Sequence, residues 1–478
     1  MKHAEKTPSS SSVPDFLADQ ISQFRRRFRG DVILPDDSDY EGARRIHNTL
    51  FQRYPVVIVR PHDADDVSAA VRFAVQQDLP LAVRGGSHNN GGFATIDDGM
   101  VIDLSRMRGI TVDAQAHVAR AQGGITAGEF TAATSAYGLA TPFGDSPTVG
   151  VGGITLGGGI GWLTRKYGMT IDSLLAAEVV KADGRVLRAS ATEHPDLFWA
   201  LRGGGGNFGV VTTFEFRLYP VETVIGGMLM LPATREVIRG VIDLSVRAPE
   251  ELGIISAVMR ASPMFGLPES MAGMPVVMVL PVWVGDVEAG QRALDPFRKL
   301  AEPLADMTQP MPYRAIYEAE GGDIPEHYTS VARNFLADSL DDAAIEAILA
   351  HLAADRVPSQ SAMTAVQIRP LGGAMARVPT DATAFAHRNA NLLVVAAAAM
   401  FDPSEYDAHR DWVEGLYQAM RPGATGAYLN FLEIEGEARL REVYPDKTYQ
   451  RLAEVKRKYD PDNVFRHNQN IAPAGAAR

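Results

Sequence analysis

Three glycine-rich stretches within the first 210 residues constrain this chain more than any other feature: Arg84–Gly92, Gly144–Trp162 and Arg202–Gly209. The first follows a short apolar run, Leu81-Ala82-Val83, and surrounds a single histidine, His88. Glycine lets consecutive backbone N–H groups turn toward one point with no Cβ in the way, so such a loop can hold a diphosphate. Arg84, Gly85, Gly86, Ser87, His88 and Asn89 are therefore candidate ligand-binding residues. On the residues alone, His88 either hydrogen-bonds a phosphate loop or is itself bonded to the ligand. In the second stretch, many glycines with few charges suit a backbone lying flat against a large planar ligand. In the third, Gly204, Gly206 and Gly209 match the G-x-G-x-x-G spacing, but the order of elements is reversed. A dinucleotide fingerprint follows a strand and opens a helix, whereas here the glycines follow a helical segment, Asp196–Leu201, and precede an alternating strand, Val210–Leu218.

A chain of 478 residues exceeds one core of ordinary size, so at least two packed units are expected. A net charge of -12 argues against a nucleic-acid or anionic-membrane partner, because such affinity rests on clustered Lys and Arg. The one basic run, Arg25-Arg26-Arg27-Phe28-Arg29, reads as a solvated helix face, and no apolar signal region follows it. With no cysteine, disulfides, thiolate metal sites and cysteine nucleophiles are excluded. The 11 histidines are scattered without H-E-x-x-H spacing, so no metal site is expected. No run reaches the ~20 apolar residues of a membrane span, and Met1–Ser12 reads as a frayed leader. A soluble, cytoplasmic protein with a small-molecule partner is expected; oligomeric state is open.

In order along the chain, residues 40–52 carry apolar positions at helical spacing, Val56–Val59 reads as a strand, and Val67, Ala70, Val71 and Ala74 form the inner stripe of a second helix. With Leu81–Val83 this makes a βαβ unit ending in the first glycine loop. Met100–Leu104, a hairpin at Ile110–Val112 and His117–Ala121, and a helix over Thr126–Tyr137 follow. From about Val221 the character changes. Ile225–Leu231, Gly253–Val258, Val276–Val284 and Leu392–Ala399 read as strands and residues 286–300 and 341–353 as helices, giving an antiparallel sheet with helices on one face. Alternate side chains of a strand share a face, pairing Gln367 with Arg369 and, on a second short strand, Tyr428 with Asn430. A helix around Tyr449–Val455, a turn at Asp460–Asn463 and an amide-rich closing segment, Val464–Ile471, end the chain.

The stretches at residues 84–92, 144–168, 196–220 and 459–473, in this order, resemble the berberine bridge enzyme-like branch of the FAD-linked oxidases, in the vanillyl alcohol oxidase superfamily. The resemblance covers most of the chain. It implies an α+β protein in which a two-part PCMH-type FAD-binding domain, residues 1–220 and 426–478, encloses a substrate domain of residues 221–425 with an antiparallel sheet covered by helices. It implies a flavin bonded through its 8α carbon to His88, and a flavin site that includes Ser146, Thr148, Val149, Gly150, Gly153, Gly158, Gly209, Val210, Asn468 and Asn470. Many members carry a second tether from a cysteine at the position of Ser146, so here a cysteinyl link is impossible. The family pattern also has a histidine where this chain has Ile154, which leaves backbone amides to support the flavin ring. Val149 resembles the position that admits dioxygen in oxidases of the family; simple packing is the alternative.

Removing a hydride from a carbinol leaves a proton for a base. Tyr428 resembles the tyrosine of the family's Tyr-x-Asn pattern, with Gln367 and Arg369 beside it and a cation expected to lower its pKa; a tyrosine buried for packing is the alternative. The expected activity is hydride abstraction from an alcohol-type carbon of a small organic substrate, with dioxygen as acceptor and hydrogen peroxide as product. Secondary-metabolite tailoring is preferred to carbohydrate oxidation at an anomeric hydroxyl, because the second unit's strands are apolar and Met-containing. Dehydrogenase activity, and flavin binding without turnover, are the remaining alternatives.

Overall fold

Val57–Arg60, Met100–Asp103 and Leu81–Arg84 are nearly continuous apolar runs, the pattern of strands covered on both faces, and they pair in parallel with Met100 in register with Val57 and Leu81. Asp31–Ile33 adds an antiparallel edge. These are the first strands of the computed structural model, which describes residues 15–262, 269–319, 327–353, 355–359 and 363–475; the leader assigned to Met1–Ser12 lies outside them. The helix Ala64–Gln76 begins where the Asp63 carboxylate accepts from the backbone N–H groups of Asp65 and Asp66, and it buries Val67, Ala70, Val71 and Ala74. Five antiparallel strands form the next sheet, in the order Ile110–Asp113, Val118–Gln122, Val210–Arg217, Leu174–Val180, Val186–Ser190.

A ten-stranded sheet follows, all of whose strands lie between Thr223 and Gly426. Its long strands pair antiparallel in the order Pro275–Trp283, Leu252–Arg260, Met363–Pro370, Leu392–Met400, Thr329–Ala337. One face buries Val258, Val366, Ile368, Val394 and Phe335 under the helices Arg235–Arg247, Asp342–His351 and Tyr406–Met420. The other face carries Ala332, Leu336, Leu393 and Val395 toward Ile160, Met169, Ile171 and Tyr428. The molecule is thus α+β, with the sheet's uncovered face turned to the second glycine-rich stretch. Among the described residues no helix is long and apolar enough to cross a membrane.

Several expectations need correction. The helix expected over residues 40–52 stops at Arg44. Tertiary hydrogen bonds outweigh its periodicity: Asn48 Nδ2 donates to Ser330 O, Thr49 N to Tyr328 O and Tyr328 N to His47 O, which pulls this segment out straight against the large sheet. Ile225–Leu231 is two strands, broken at Gly227, whose φ is 116°. The glycine-rich stretch is not uniformly flat, since Val151–Gly157 winds into two helical turns. Tyr428 and Asn430 do not lie on a strand: pairing ends at Gly426, and Leu429–Phe431 is a single 3₁₀ turn. The strand Thr329–Ala337 and the helices Arg235–Arg247 and Tyr406–Met420 were missed entirely.

Candidate active site

Directly after Arg84 the chain turns through Ser87, which adopts φ 62°, and the backbone N–H groups of Ser87, His88 and Asn89 have no partner among the described residues. The loop is held by contact of backbone on backbone: a Cβ on Gly86 would lie 2.2 Å from Gly150 N, and one on Gly150 would lie 2.3 Å from Gly86 N. Glycine is required at both positions because nothing there can move aside. His88 Nε2 lies 2.8 Å from Thr148 Oγ1, whose hydroxyl is 3.2 Å from Ser146 Oγ. The His88 ring stacks on His47 at 4.2 Å between centroids. Burial first, and His47 second, hold the His88 imidazole far below the ordinary histidine range, against the pull of Asp145.

Asp145 joins this loop to the large sheet. Its Oδ2 accepts from Arg369 Nη2 at 2.6 Å, and the same nitrogen donates to Gln367 Oε1 at 2.8 Å. Because Gln367 and Arg369 occupy alternate positions of one strand, both side chains reach the same face; Arg369 is 3% exposed. Its guanidinium lies 5.2 Å from the Phe431 ring, which in turn meets Tyr428 edge-on at 5.4 Å.

Tyr428 is anchored from behind by its own N–H, which donates to Asn334 Oδ1 at 2.7 Å on the neighbouring strand. Its hydroxyl oxygen accepts from Gly159 N at 2.8 Å and from Asn430 Nδ2 at 2.9 Å. Gly158, with φ 137°, leaves room for the ring, since a Cβ there would come within 3.1 Å of Tyr428 Cε2. Two donors aimed at one phenol oxygen favour the phenolate, and Arg369 acts in the same direction, but burial dominates and pushes the hydroxyl up to about 12. The expectation of a lowered pKa is corrected accordingly: desolvation of a fully enclosed phenol outweighs the cation. Asn430 also donates to Ile154 O at 3.0 Å, so the isoleucine that stands where the family pattern has a histidine contributes its carbonyl.

Other expected residues are placed as follows. Arg84 is turned away from the loop, with its guanidinium donating to Ala43 O, Arg44 O and Ala94 O beside Asp103. Gly209 and Val210 open the strand that pairs with Val180, and Val210 is buried in the first sheet's core. Val149 accepts from Ala127 N with its carbonyl while its side chain is half-buried. Asn89 Oδ1 caps its own turn by accepting from Gly91 N. Asn468 Nδ2 donates to Gly206 O at 3.1 Å, bringing the closing segment onto the third glycine cluster. That docking depends on residues with no motif to flag them. Asn207 bonds Gly204 O, Gln469 O and Ile471 N, and Lys456 forms a fully buried pair with Asp460 while donating to Asn207 O.

The open valences match a flavin dinucleotide. The unpartnered N–H groups of Ser87, His88 and Asn89 suit an anion. A Cβ on Gly153 would meet nothing within 4 Å, which marks open space beside the second glycine stretch. The Oδ1 atoms of Asn468 and Asn470 are buried without a partner among the described residues. Residues 55–190 match the FAD binding domain family, and residues 427–472 match the berberine and berberine-like family. The (R)-6-hydroxynicotine oxidase of Paenarthrobacter nicotinovorans is 33% identical over 461 residues, covering 94% of this chain and 98% of that protein.

The chain belongs to the berberine bridge enzyme-like FAD-linked oxidoreductases.

Solved structures agree with membership of this family of FAD-linked oxidoreductases. The 6-hydroxy-D-nicotine oxidase of Arthrobacter nicotinovorans superposes with a TM-score of 0.81 at 30% identity, over 93% of this chain and 98% of that one. The glucooligosaccharide oxidase of Acremonium strictum, whose structure is described as revealing a novel flavinylation, gives 0.82 at 25% identity over 95% and 98%. This chain is an FAD-linked oxidase, and Tyr428, Asn468 and Asn470 fall within the berberine-like match.

Proposed function

We propose that His88 is bonded to the 8α carbon of FAD and that the enzyme oxidises a carbinol on an apolar organic substrate. The substrate loses a hydride from carbon and a proton from its hydroxyl; dioxygen takes up the two electrons and two protons as hydrogen peroxide. FAD, when bound, supplies the hydride acceptor and the route of electrons to dioxygen. His88 contributes an unprotonated ring nitrogen, as attachment to carbon requires, because its surroundings disfavour the imidazolium. Ser146 and Thr148 hold polar contacts beside it, and with no cysteine in the chain a second thioether is excluded.

Tyr428 receives the substrate proton, with Gly159 and Asn430 stabilising the charge on its oxygen, and Arg369 and Gln367 positioned by Asp145. The observation that carries the reading is a line of interactions from His88, on whose imidazole the Asp145 carboxylate acts, through Asp145 to Arg369, Phe431 and Tyr428. An apolar substrate is preferred to an oligosaccharide because the face around Gln367 carries the half-buried Ala365, Ala397 and Met278, which cannot hydrogen-bond sugar hydroxyls.

A peroxide-coupled screen across polyketide-like and aromatic alcohols, amines and sugars tests the activity. Peroxide from the apolar alcohols is expected; turnover of sugars alone would overturn the substrate reading. Acid-precipitated protein should stay yellow, whereas a colourless pellet would refute the covalent bond. Dithionite-reduced protein that remained bleached in air would make the enzyme a dehydrogenase.

A further inference from the structure

Resting on that reading of the site, we infer that Arg369 binds a carboxylate of the substrate, so that the enzyme acts on apolar carbinols bearing an acid group.

A guanidinium carries five N–H donors. On Arg369, Nη2 is committed to Asp145 and Gln367, while Nε and Nη1 have no partner among the described residues. The side chain is 4% exposed, so water does not compensate. Leaving donors of a buried charged group unmade costs more than a typical hydrogen bond contributes, and the neighbouring side chains do not relieve this. Gln367 already accepts on Oε1, Phe431 offers only its ring, and Asp145, with 26% of its side chain exposed, reaches only Nη2. Aliphatic residues dominate the rest of the strand's face. Leu393 stands directly opposite Arg369, and Val395 and Ala257 flank Gln367. A carboxylate matches this vacancy in charge and in acceptor number, because its two oxygens offer about four lone-pair sites to planar donors. A neutral hydroxyl or ether would satisfy fewer of the donors and leave the charge unbalanced. The Phe431 ring meets both the Arg369 guanidinium and Tyr428, and Arg369 acts electrostatically on the phenol, so a carboxylate held by Arg369 would bring the same molecule beside the base.

Calorimetric titration of the purified holoenzyme with 2-naphthoate and with its neutral counterpart 2-naphthamide tests this. Charge-assisted hydrogen bonds contribute enough that the acid should bind roughly tenfold or more tightly than the amide. Arg369→Met should abolish the preference by weakening the acid and leaving the amide unchanged. Asp145→Asn, which releases the guanidinium from its competitor, should tighten the acid. Equal affinities in the wild type, or an acid preference that survives Arg369→Met, would overturn the inference. So would a variant whose visible flavin spectrum shifts while its acid preference persists, since the guanidinium would then serve the cofactor. Should Arg369→Met fail to fold, Arg369→Lys and Asp145→Asn decide the question in the same titration. Colour in the acid-precipitated pellet and peroxide release report separately on the oxidase reading, so either conclusion can fail alone.

Discussion

The two walls of this active site are built from different materials. The wall carrying His88 is backbone: Gly86 and Gly150 touch main chain to main chain, Ser87 is left-handed, and the groups that remain open are N–H donors. The wall carrying Arg369 and Gln367 is side chain, presented by alternate positions of a strand that pairs antiparallel with its neighbours. A backbone wall holds a cofactor and tolerates almost no change, because the atoms in contact belong to every residue type. A side-chain wall can be re-lettered without disturbing the sheet, which is why the proposed substrate contacts are assigned to it. Tyr428 stands between the two, tied to the glycine wall through Gly159 and to the sheet through Asn334.

The sharpest break would come from His88→Ala, which should remove acid-stable flavin completely while leaving the sheet wall intact. Yellow acid-precipitated protein from this variant would refute the anchor. Next in size, Tyr428→Phe should lower kcat by about 10²–10⁴-fold with flavin content unchanged. Undiminished turnover would remove it as the base. The same residue governs pH dependence. With the hydroxyl pushed up to about 12, only a small fraction is phenolate at neutral pH, and that fraction grows as pH rises. The rate on a neutral carbinol should therefore climb by about tenfold per pH unit and keep rising past about pH 10, where an unperturbed tyrosine would level off. A pH-independent rate there would contradict the assignment. His88 predicts the opposite behaviour: its depressed pKa keeps the free imidazole neutral through the ordinary histidine range, so the extent of covalent attachment when apoprotein is mixed with FAD should be the same on either side of that range.

Smaller effects separate the walls further. Gly86→Ala places a Cβ against Gly150 N and should destabilise the fold by about 1–3 kcal/mol, read as a lowered Tm. Ala397→Val, on the sheet face, should alter KM for bulky substrates and leave Tm nearly unchanged. Equal responses of the two variants would erase the distinction. The mildest change is expected from Val149→Leu, which should slow reoxidation by dioxygen in stopped flow without affecting reduction by substrate.

Much of the backbone wall was legible beforehand because its requirement for glycine is written directly in composition and spacing. The parallel strands around Leu81–Arg84, the helix Ala64–Gln76 and the loop with His88 all follow from local patterns. The side-chain wall was legible only as a pairing of Gln367 with Arg369, since strand periodicity says which residues share a face but not what faces them. Asp145 was not singled out, being one acidic residue among 58 Asp and Glu, and its contact with Arg369 spans 224 positions. Asn207 escaped because its partners Lys456 and Ile471 lie 249 and 264 positions away, although Lys456 and Asp460 pair within one helical turn. The segment after Arg44 was misread because its helical spacing is real, but tertiary hydrogen bonds to Tyr328 and Ser330 outweigh it.

The sequence by itself determined the family, the cofactor, the α+β architecture and the histidine presented by the first glycine loop. The family and the cofactor follow from the resemblance of four ordered stretches, and the loop from local conformational demands, chiefly where a Cβ cannot be tolerated, which leave a mark at fixed positions. Only the tertiary structure decided which charges meet, that burial rather than Arg369 governs the Tyr428 hydroxyl, and that the Arg369 guanidinium keeps donors without partners. Those properties depend on desolvation and on contacts between residues hundreds of positions apart, and neither is a property of any one stretch of chain.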